Sequence, residues 1–253
     1  MKLLAAALTF LTRIPVPTGD VTDPRAVGRA AALFPFVGVF FGLVFYGFCK
    51  TFIESLPPLV LALCVVALES LVSGCLHLDG LADTADGFGG GRSREDTLRI
   101  MRDHAIGSYG AAALVFCVLA KVSSLGELIE RRHAGVYLFL YPVLGRWSPV
   151  VLSFCLPYAR RSAEEGKPPD GAVAEYVRWR EMIAATLVSA VVVAAGLWQA
   201  VICSAAVVVC CGVFGLLCRS RIGGVTGDTL GAAVEISEVA VLMTGVVLAQ
   251  SRQ

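Results

Sequence analysis

The stretch MIAATLVSAVVVAAGLWQAVICSAAVVVCCGVFGLL, residues 182–217, decides the fold class because it contains no charged side chain. A helix needs about 20 mostly apolar residues to cross a bilayer, so these 36 residues predict two short membrane spans that meet near Trp198 and Gln199. The whole chain shares this character: 57% of its 253 residues are hydrophobic, only 16% are charged, and the mean hydropathy is +0.75. Such a composition excludes a disordered chain, a collagen-like chain and an ordinary soluble enzyme, and it indicates a polytopic membrane protein.

Apolar stretches long enough to be membrane-spanning helices recur from one end of the chain to the other. Seven of them cover residues 31–53, 58–76, 107–126, 135–156, 182–198, 200–217 and 231–249. We therefore expect an all-α, polytopic membrane bundle of about seven transmembrane helices, folded as a single catalytic domain over residues 1–253. Short cytoplasmic and interfacial helices are expected to complete it, among them an uncleaved interfacial helix in the apolar segment 1–12.

The basic residues predict the orientation of these spans. If successive spans alternate in direction, most lysines and arginines fall on the side of the N-terminus, which also holds the two long polar stretches, 79–106 and 157–181. Because cytoplasmic loops are enriched in Lys and Arg, this side is predicted to face the cytoplasm. The second polar stretch is expected to be a mobile loop that leads into a short helix over 172–181. A net charge of +1 provides no basic face for a nucleic acid.

An acidic motif, HLDGLADTADG at residues 77–87, directly follows the second apolar stretch. Asp79, Asp83 and Asp86 are spaced i, i+4 and i+7, so on a helix their carboxylates share one face. Like charges on one face repel and charge beside a membrane is costly, so a divalent cation bound through oxygen ligands is the expected compensation. The alternative is a solvated acidic face at the membrane surface.

The residues after the motif predict a turn and a second helix. Glycines 89–91 favour a flexible turn, and Ser93 with Asp96 is typical of a helix start, so we expect a helix over 94–102. Arg102 near its end is a candidate to bind phosphate oxygens. The alternative for Arg102 is a surface or interfacial cation.

A second acidic cluster opens the last apolar stretch. Asp228 and Glu235 are spaced i, i+7 and share a helix face, and Glu238 follows one turn later. Ionisable residues inside a membrane span are functional by default, although a structural buried pair with Lys121 or Arg146 is the alternative. The predicted topology places both acidic clusters on the cytoplasmic side.

Several motifs, taken in order along the chain, resemble those of one enzyme family. They are FLTRIPVP at 10–17, FP at 34–35 with Gly38, HLDGLADTADG at 77–87, IMRD at 100–103 with Gly107 and Gly110, GRW at 145–147, and GGVTGD at 223–228 with Glu235. Together they are similar to the cobalamin synthase family, the adenosylcobinamide-GDP ribazoletransferases. HLDGLADTADG is the most specific of these motifs, and the matches extend from residue 10 to residue 235.

The resemblance implies a reaction, a metal and a set of partners. Adenosylcobinamide-GDP and α-ribazole, or α-ribazole 5′-phosphate, would join to give adenosylcobalamin or its 5′-phosphate. GMP would be released, and the step would take place at the membrane with Mg²⁺. These small molecules and the lipid bilayer are the expected partners, with a homo-oligomer as a further option and no nucleic acid.

Together with the residue patterns, the resemblance assigns candidate roles to individual side chains. The candidate catalytic groups are Asp83, Asp86 and His77, with Asp83 or Asp86 as the base for an attacking ribose hydroxyl. The candidate ligands of one or two Mg²⁺ ions are Asp79, Asp83, Asp86, Asp228 and Glu235. The candidate substrate-binding residues are Arg102, Asp103, Arg13, Lys121, Arg146, Gly224 and Thr226.

Two other functions remain open at the level of the sequence. A CDP-alcohol phosphotransferase is also a membrane enzyme with an Asp-rich motif, but its signature is only partly echoed at Asp79 and Gly80. The arginine of that signature is absent from this sequence, and the spacing of the residues that follow does not match the signature. An ion-coupled transporter would use Asp228, Glu235 and Glu238 as a cation path, but the acidic motif lies at the end of a span beside a polar loop.

Overall fold

The structure is a computed structural model that describes residues 2–16, 24–160, 173–195 and 197–251. Within these ranges the regular elements are helices, apart from one isolated parallel bridge between Tyr158 and Val225. The α-helices are α1 Lys2–Leu11, α2 Pro24–Ala30, α3 Phe34–Phe52, α4 Pro58–Ser73, α5 Leu76–Gly90, α6 Arg94–Ile100, α7 Ser108–Glu130, α8 Ala134–Cys155, α9 Val173–Tyr176, α10 Trp179–Ala195, α11 Leu197–Ile222 and α12 Gly227–Gln250. A short 3₁₀-helix, Ala31–Leu33, joins α2 to α3. The all-α fold expected from the sequence is confirmed.

The long apolar helices fit a multi-pass membrane protein. In the part of the chain that the structure describes, five segments are long and apolar enough to cross a membrane, namely Arg25–Phe52, Ser108–Glu130, Ala134–Cys155, Trp198–Ile222 and Gly227–Gln250. The bent pair α4 and α5 makes a sixth if it counts as one span. The expected count of seven is not confirmed, because α10 has 17 residues and is shorter than a usual span. The uncharged stretch 182–217 does divide between two helices, but α10 ends at Ala195, before the expected division at Trp198.

A sharp bend between α4 and α5 sets the direction of the acidic motif. The two helices meet at 89°, so the motif does not continue the line of the second apolar stretch. Gly74 and Cys75 have left-handed backbone conformations, with φ of 65° and 60°. The Cys75 N–H donates to the Ser70 carbonyl oxygen (2.8 Å), which closes the end of α4. Glycine suits this turn, because a Cβ at Gly74 would collide with the side chain of Arg13.

Helix α5 lies very close to α12, and this contact brings the two acidic clusters together. A Cβ at Gly80 would stand 2.6 Å from the carbonyl oxygen of Asp228, so only a glycine permits this approach. Gly231 of α12 faces the same stretch of α5, near the backbone of His77. The acidic motif is therefore placed beside the N-terminus of α12.

Helix α8 is central to the bundle, where it packs against α3, α10, α11 and α12. Its residues Leu140, Tyr141 and Val143 are completely buried, and the Tyr141 ring stacks on Phe45 with ring centroids 5.8 Å apart. Arg146 of α8 and Glu238 of α12 are also completely buried. The core therefore encloses charged side chains as well as apolar ones.

The predictions for the polar connections are only partly confirmed. Ser93 caps α6 as expected, because its Oγ accepts a hydrogen bond from the Asp96 N–H (3.1 Å). The Arg99 guanidinium and the Arg92 N–H bind the Asp96 carboxylate and lower its pKa. The turn expected at residues 89–91 is wrong, since α5 continues through Gly90.

The expected helix over 172–181 is also wrong. Residues Val173–Tyr176 form α9, residues 177–178 are not helical, and α10 begins at Trp179. Most of the loop predicted to be mobile, residues 161–172, lies outside the described residues.

Candidate active site

A cavity of ≈ 230 Å³ opens beside the acidic motif. Residues from α1, α5, α8, α12 and the segment that follows α8 line it. Its apolar lining includes Phe10, Leu11, Phe34, Val150, Leu230 and Val234, and its polar lining includes His77, Asp79, Ser153, Arg160 and Asp228. The cavity therefore combines an apolar surface with carboxylates and a guanidinium, which suits a ligand that is partly apolar and partly phosphate.

Asp79 and Asp228 line the polar end of this cavity. Asp83 follows one turn after Asp79 on α5; burial opposes its ionisation most strongly, followed by the charges of Asp228, Asp79 and Asp86, whereas Arg160 favours it. Arg160 Nη2 donates to Asp228 Oδ2 (2.7 Å), and these two side chains are 12% and 23% exposed. Because one guanidinium does not neutralise Asp79, Asp228 and the adjacent Asp83, this end of the cavity favours a cation.

The N-terminus of α12 fixes the position of Asp228. Thr226 caps the helix, since its Oγ1 accepts a hydrogen bond from the Thr229 N–H (3.3 Å). The Thr226 N–H in turn donates to Thr229 Oγ1 (2.8 Å), which completes a reciprocal cap. Thr226 Oγ1 also donates to Asp228 Oδ2 (3.3 Å). Thr226 is completely buried, so its observed role is to orient Asp228.

A short backbone pairing places Arg160 opposite Asp228. The Val225 N–H donates to the Pro157 carbonyl oxygen (2.9 Å), and the Ala159 N–H donates to the Val225 carbonyl oxygen (2.8 Å). Gly224 is buried next to this pairing. Gly224 and Thr226 therefore belong to the framework of the cavity, and the cavity lining does not include either residue.

The carboxylate of Asp86 has a different role from the carboxylates of Asp79 and Asp83. Its Oδ2 accepts a hydrogen bond from the Gly107 N–H (2.7 Å), and its Oδ1 accepts one from the Gly110 N–H (2.8 Å). Both N–H groups belong to the N-terminus of α7, where a carboxylate compensates unpaired donors and the helix dipole. Asp86 is buried, so the structure shows it as the cap of α7.

Glu235, Lys121 and Arg146 meet in a buried ion-pair cluster that also contains Glu69 and Glu238. Lys121 Nζ lies 2.9 Å from Glu69 Oε2 and 3.0 Å from Glu235 Oε2, and it also pairs with Glu238. Arg146 Nη1 lies 3.0 Å from Glu69 Oε1 and pairs with Glu238 as well. All five side chains are at most 5% exposed. The structural pairing that the sequence left open for Glu235 and Glu238 is therefore present, and Glu235 stands apart from the four aspartates.

His77 lies between the buried ion-pair cluster and the cavity. It lines the cavity, and the charges of Glu69, Lys121 and Arg146 act on its ring. The ring is buried, and its Nε2 has no hydrogen-bond partner among the described residues. A histidine in this position can accept a hydrogen bond from a ligand.

The remaining predicted site residues lie at the edges of this region. The Arg13 N–H donates to the Val72 carbonyl oxygen (2.7 Å), and the Arg13 side chain packs against Gly74 at the bend before α5. Arg102 and Asp103 are exposed after the end of α6, where Asp103 Oδ1 accepts a hydrogen bond from the Ala105 N–H (3.1 Å). The structure does not bring Arg102 or Asp103 into the lining of the cavity.

Sequence reasoning missed three charged residues that the structure makes important. In the sequence, Arg160 was counted only among the basic residues that predict the orientation of the spans, although it follows the end of an apolar stretch and precedes a second arginine. Arg94 Nε donates to the Ile222 carbonyl oxygen (2.9 Å) and its Nη2 donates to that of Ala159, so it ties α6 to the framework of the cavity. Glu69 is the acidic residue of the stretch 58–76, and a lone acid in such a stretch is itself a signal of function.

The carboxylates around the cavity suit a hard divalent cation in chemistry. No three described His, Cys, Asp or Glu side chains are arranged so that they already surround one metal ion. Mg²⁺ is usually held by one or two carboxylates together with water and the phosphates of a substrate. Asp79 and Asp228, which line the same cavity, and the adjacent Asp83 match that requirement.

Comparisons with known proteins point to one family. The sequence model of the family described as Cobalamin-5-phosphate synthase matches residues 3–247. The chain is similar to the adenosylcobinamide-GDP ribazoletransferase of Syntrophobacter fumaroxidans, with 38% identity over 93% of this chain and 94% of the relative. It is also similar to the proteins of that name in Pseudomonas syringae pv. syringae, with 38% identity over 94% and 96%, and in Pseudomonas aeruginosa, with 39% over 96% and 97%. No solved structure matches the chain.

Proposed function

The chain belongs to the cobalamin-5-phosphate synthase family, and on this premise we propose that its acidic cavity is the place of reaction. The protein is a membrane transferase with adenosylcobinamide-GDP ribazoletransferase activity in cobalamin synthesis. It joins adenosylcobinamide-GDP to α-ribazole, or to α-ribazole 5′-phosphate, and releases GMP. The observation that carries the assignment of the site is one cavity in which Asp79, Asp228 and Arg160 face apolar side chains.

The reaction is a displacement at phosphorus, so its main requirement is to position two substrates and to balance charge. A ribose hydroxyl of the acceptor forms a new bond to the phosphorus that carries the corrinoid side chain. The bond from that phosphorus to the oxygen of GMP breaks, and GMP leaves with the electron pair. The hydroxyl proton passes to a carboxylate of the protein.

We assign the role of proton acceptor to Asp83. Asp86 was the other candidate, but its two carboxylate oxygens already accept hydrogen bonds from Gly107 and Gly110. Asp83 is half-buried and surrounded by like charges, an environment that favours proton uptake by a carboxylate. Arg160 lines the cavity, so its guanidinium group is suited to bind phosphate oxygens, whereas Arg102 lies outside the lining.

Asp79 and Asp228, which both line the cavity, are the residues that would hold Mg²⁺, while Asp83 keeps the role of proton acceptor. When bound there, the cation would neutralise charge on the pyrophosphate group. The support for this proposal is the chemistry of the donor set, in which Asp79 and Asp228 share the cavity lining with one arginine, Arg160, among the described residues. Glu235 is not part of this donor set, because its Oε2 lies 3.0 Å from Lys121 Nζ in the buried ion-pair cluster.

The proposed site would face the cytoplasm of a bacterial inner membrane. The distribution of Lys and Arg along the sequence supports this orientation. The cytoplasm is also where a soluble nucleotide product such as GMP can leave the enzyme. The comparisons do not favour the CDP-alcohol phosphotransferase or the ion-coupled transporter.

The decisive experiment is an assay of the purified protein in liposomes. It would contain adenosylcobinamide-GDP and α-ribazole 5′-phosphate, with and without Mg²⁺, and would follow GMP and the corrinoid product by chromatography. We expect both products to appear together, and only with the divalent cation. In parallel, Asp228→Asn should lose most of the activity, whereas Glu127→Gln should keep it, because Glu127 pairs with Arg131 at the far end of α7.

Two results would contradict different parts of the proposal. Full activity after removal of divalent cations would exclude Mg²⁺, and the aspartates would then act without a metal. Full activity of Asp228→Asn would exclude this cavity as the place of reaction, although the family assignment would stand.

A further inference from the structure

A second cavity, of ≈ 830 Å³, is lined mainly by arginines and aromatic rings. We call it the arginine cavity, and its lining residues are Arg25, Arg29, Tyr176, Arg178, Trp179, Arg180 and Glu181. Arg25 and Arg29 belong to α2, and Tyr176 ends α9. Arg178 lies between α9 and α10, and Trp179, Arg180 and Glu181 open α10. Two segments that are distant in sequence therefore bring four guanidinium groups to one concave surface.

The charge of this lining is strongly positive. Glu181 is its single carboxylate among the described lining residues, and Glu181 Oε2 accepts a hydrogen bond from the Arg178 N–H (3.1 Å). Glu175 lies nearby on α9 and is exposed. Four arginines that face one carboxylate repel one another, and an anion with several oxygens relieves this repulsion.

Aromatic rings hold two of the guanidinium groups in place. The Arg25 guanidinium lies over the Tyr176 ring at 5.8 Å from its centroid, and that of Arg180 lies over the Trp179 ring at 5.3 Å. Such cation–π contacts restrict the long side chains without neutralising their charge. The arginines are therefore partly ordered before any ligand binds.

The arginine cavity lies where two apolar helices begin. Arg25 opens the apolar segment Arg25–Phe52, and Trp179 opens α10, whose later residues are apolar. Trp179 is 59% exposed, and exposed tryptophan is typical of the level of lipid headgroups in a bilayer. Clustered arginines at that level attract the phosphates of anionic lipids.

The arginine cavity also adjoins the acidic cavity along the chain. Val177 lines the acidic cavity, while its neighbours Tyr176 and Arg178 line the arginine cavity. Ala31 lines the acidic cavity, and Arg29 two residues earlier lines the arginine cavity. A molecule that binds the arginines is therefore held close to the place of reaction.

We propose that the arginine cavity is a binding site for a phosphate group at the membrane surface. Two molecules present that group here, namely an anionic phospholipid and the phosphorylated acceptor. Binding of the lipid is independent of the function proposed above. Binding of the acceptor rests on that function, because it makes the cavity the holder of the acceptor's phosphate during the reaction.

The test measures binding directly, so that it does not depend on turnover. Native mass spectrometry of the whole protein would compare phosphatidylglycerol with phosphatidylcholine. A thermal-shift titration would compare α-ribazole 5′-phosphate with α-ribazole. The variant Arg29→Gln/Arg178→Gln removes one guanidinium from each wall, and Arg29→Lys/Arg178→Lys keeps the charge if the first variant folds poorly.

The matched control is Arg219→Gln/Arg221→Gln, which removes two exposed arginines from the last turn of α11. We expect the Gln variant of the arginine cavity to bind the phosphate-bearing probe about 30-fold more weakly, at roughly 1 kcal/mol for each arginine. The control and the Lys variant should bind it within about threefold of the original protein, since Lys and Arg contribute similarly to attraction by charge.

The pattern of losses identifies the source of the phosphate. Loss of phosphatidylglycerol binding alone identifies a lipid site. Loss of preference for α-ribazole 5′-phosphate alone identifies a substrate site. If the Gln variant binds every probe as the original protein does, the proposal is overturned, while the assignment of the acidic cavity is unaffected.

Discussion

The acidic cavity and the buried ion-pair cluster are both built from ionisable residues, but they balance their charges in opposite ways. In the buried ion-pair cluster, Glu69, Glu235 and Glu238 share the cations of Lys121 and Arg146. In the acidic cavity, Asp79 and Asp228 line the wall together with Arg160, and Asp83 lies beside them on α5. A charge that is buried far from water must be paired with an opposite charge of the protein. A charge that lines a cavity can instead be paired with a bound ligand. The shortage of cations therefore distinguishes the place of reaction from the structural core.

Helix α12 contributes to both regions and shows how closely they are spaced. Asp228 in its first turn faces the acidic cavity, and Glu235 lies two turns later in the buried ion-pair cluster. At 1.5 Å of rise per residue, the two residues are separated by about 10 Å along the helix axis. They share a helix face, but they are too far apart to bind the same metal ion.

The largest expected effect comes from breaking the buried ion-pair cluster. Lys121→Met leaves three glutamates with Arg146 as their partner, and removal of one member of a buried ion pair costs about 3–5 kcal/mol. We expect a large loss of folded protein, measured by thermal unfolding in detergent. The double variant Lys121→Met/Glu235→Gln removes one charge of each sign, so it should recover at least half of the stability that Lys121→Met loses. A stability of Lys121→Met close to that of the original protein would mean that the cluster is not a structural unit.

The next effect separates chemistry from stability in the acidic cavity. Asp83→Asn keeps the shape of the side chain but removes the proposed proton acceptor. We expect activity to fall by about 10²–10⁴-fold, while the dependence on Mg²⁺ and the expression of the protein remain as in the original protein. The measurement is GMP release per amount of folded protein, with Glu127→Gln as the control. Normal turnover of Asp83→Asn would remove this residue from the reaction.

The smallest expected effect comes from Asp86, which belongs to the same motif. Asp86→Asn loses the negative charge and can accept only one of the two hydrogen bonds from Gly107 and Gly110. Loss of such a cap costs about 0.5–2 kcal/mol, so the unfolding temperature should fall. Activity per folded molecule should fall less than in Asp83→Asn. A loss of activity as large as that of Asp83→Asn, without a loss of stability, would place Asp86 in the reaction instead.

Much of the site could be recognised from the sequence because its residues are close together along the chain. The spacing of Asp79, Asp83 and Asp86 places their carboxylates on one face if the segment is helical, and α5 covers all three residues. The spacing could not show that Asp86 points to the N-terminus of α7, since that contact joins residues 21 and 24 positions apart. Arg160 was missed for the same reason, because its partner Asp228 is 68 positions away.

The sequence by itself determined that this protein is a helical membrane protein of a recognisable family, because apolar stretches and short motifs are local properties of a chain. It also singled out the acidic motif, since three carboxylates on one helix face need compensation. Only the tertiary structure decided which carboxylates receive that compensation from the protein. The 89° bend at Gly74 and the close contact of α5 with α12 at Gly80 bring Asp79 and Asp83 beside Asp228. Glu235, two turns deeper on α12, is paired with Lys121. The pairing of a charge depends on neighbours in space, and spacing along the chain does not specify them.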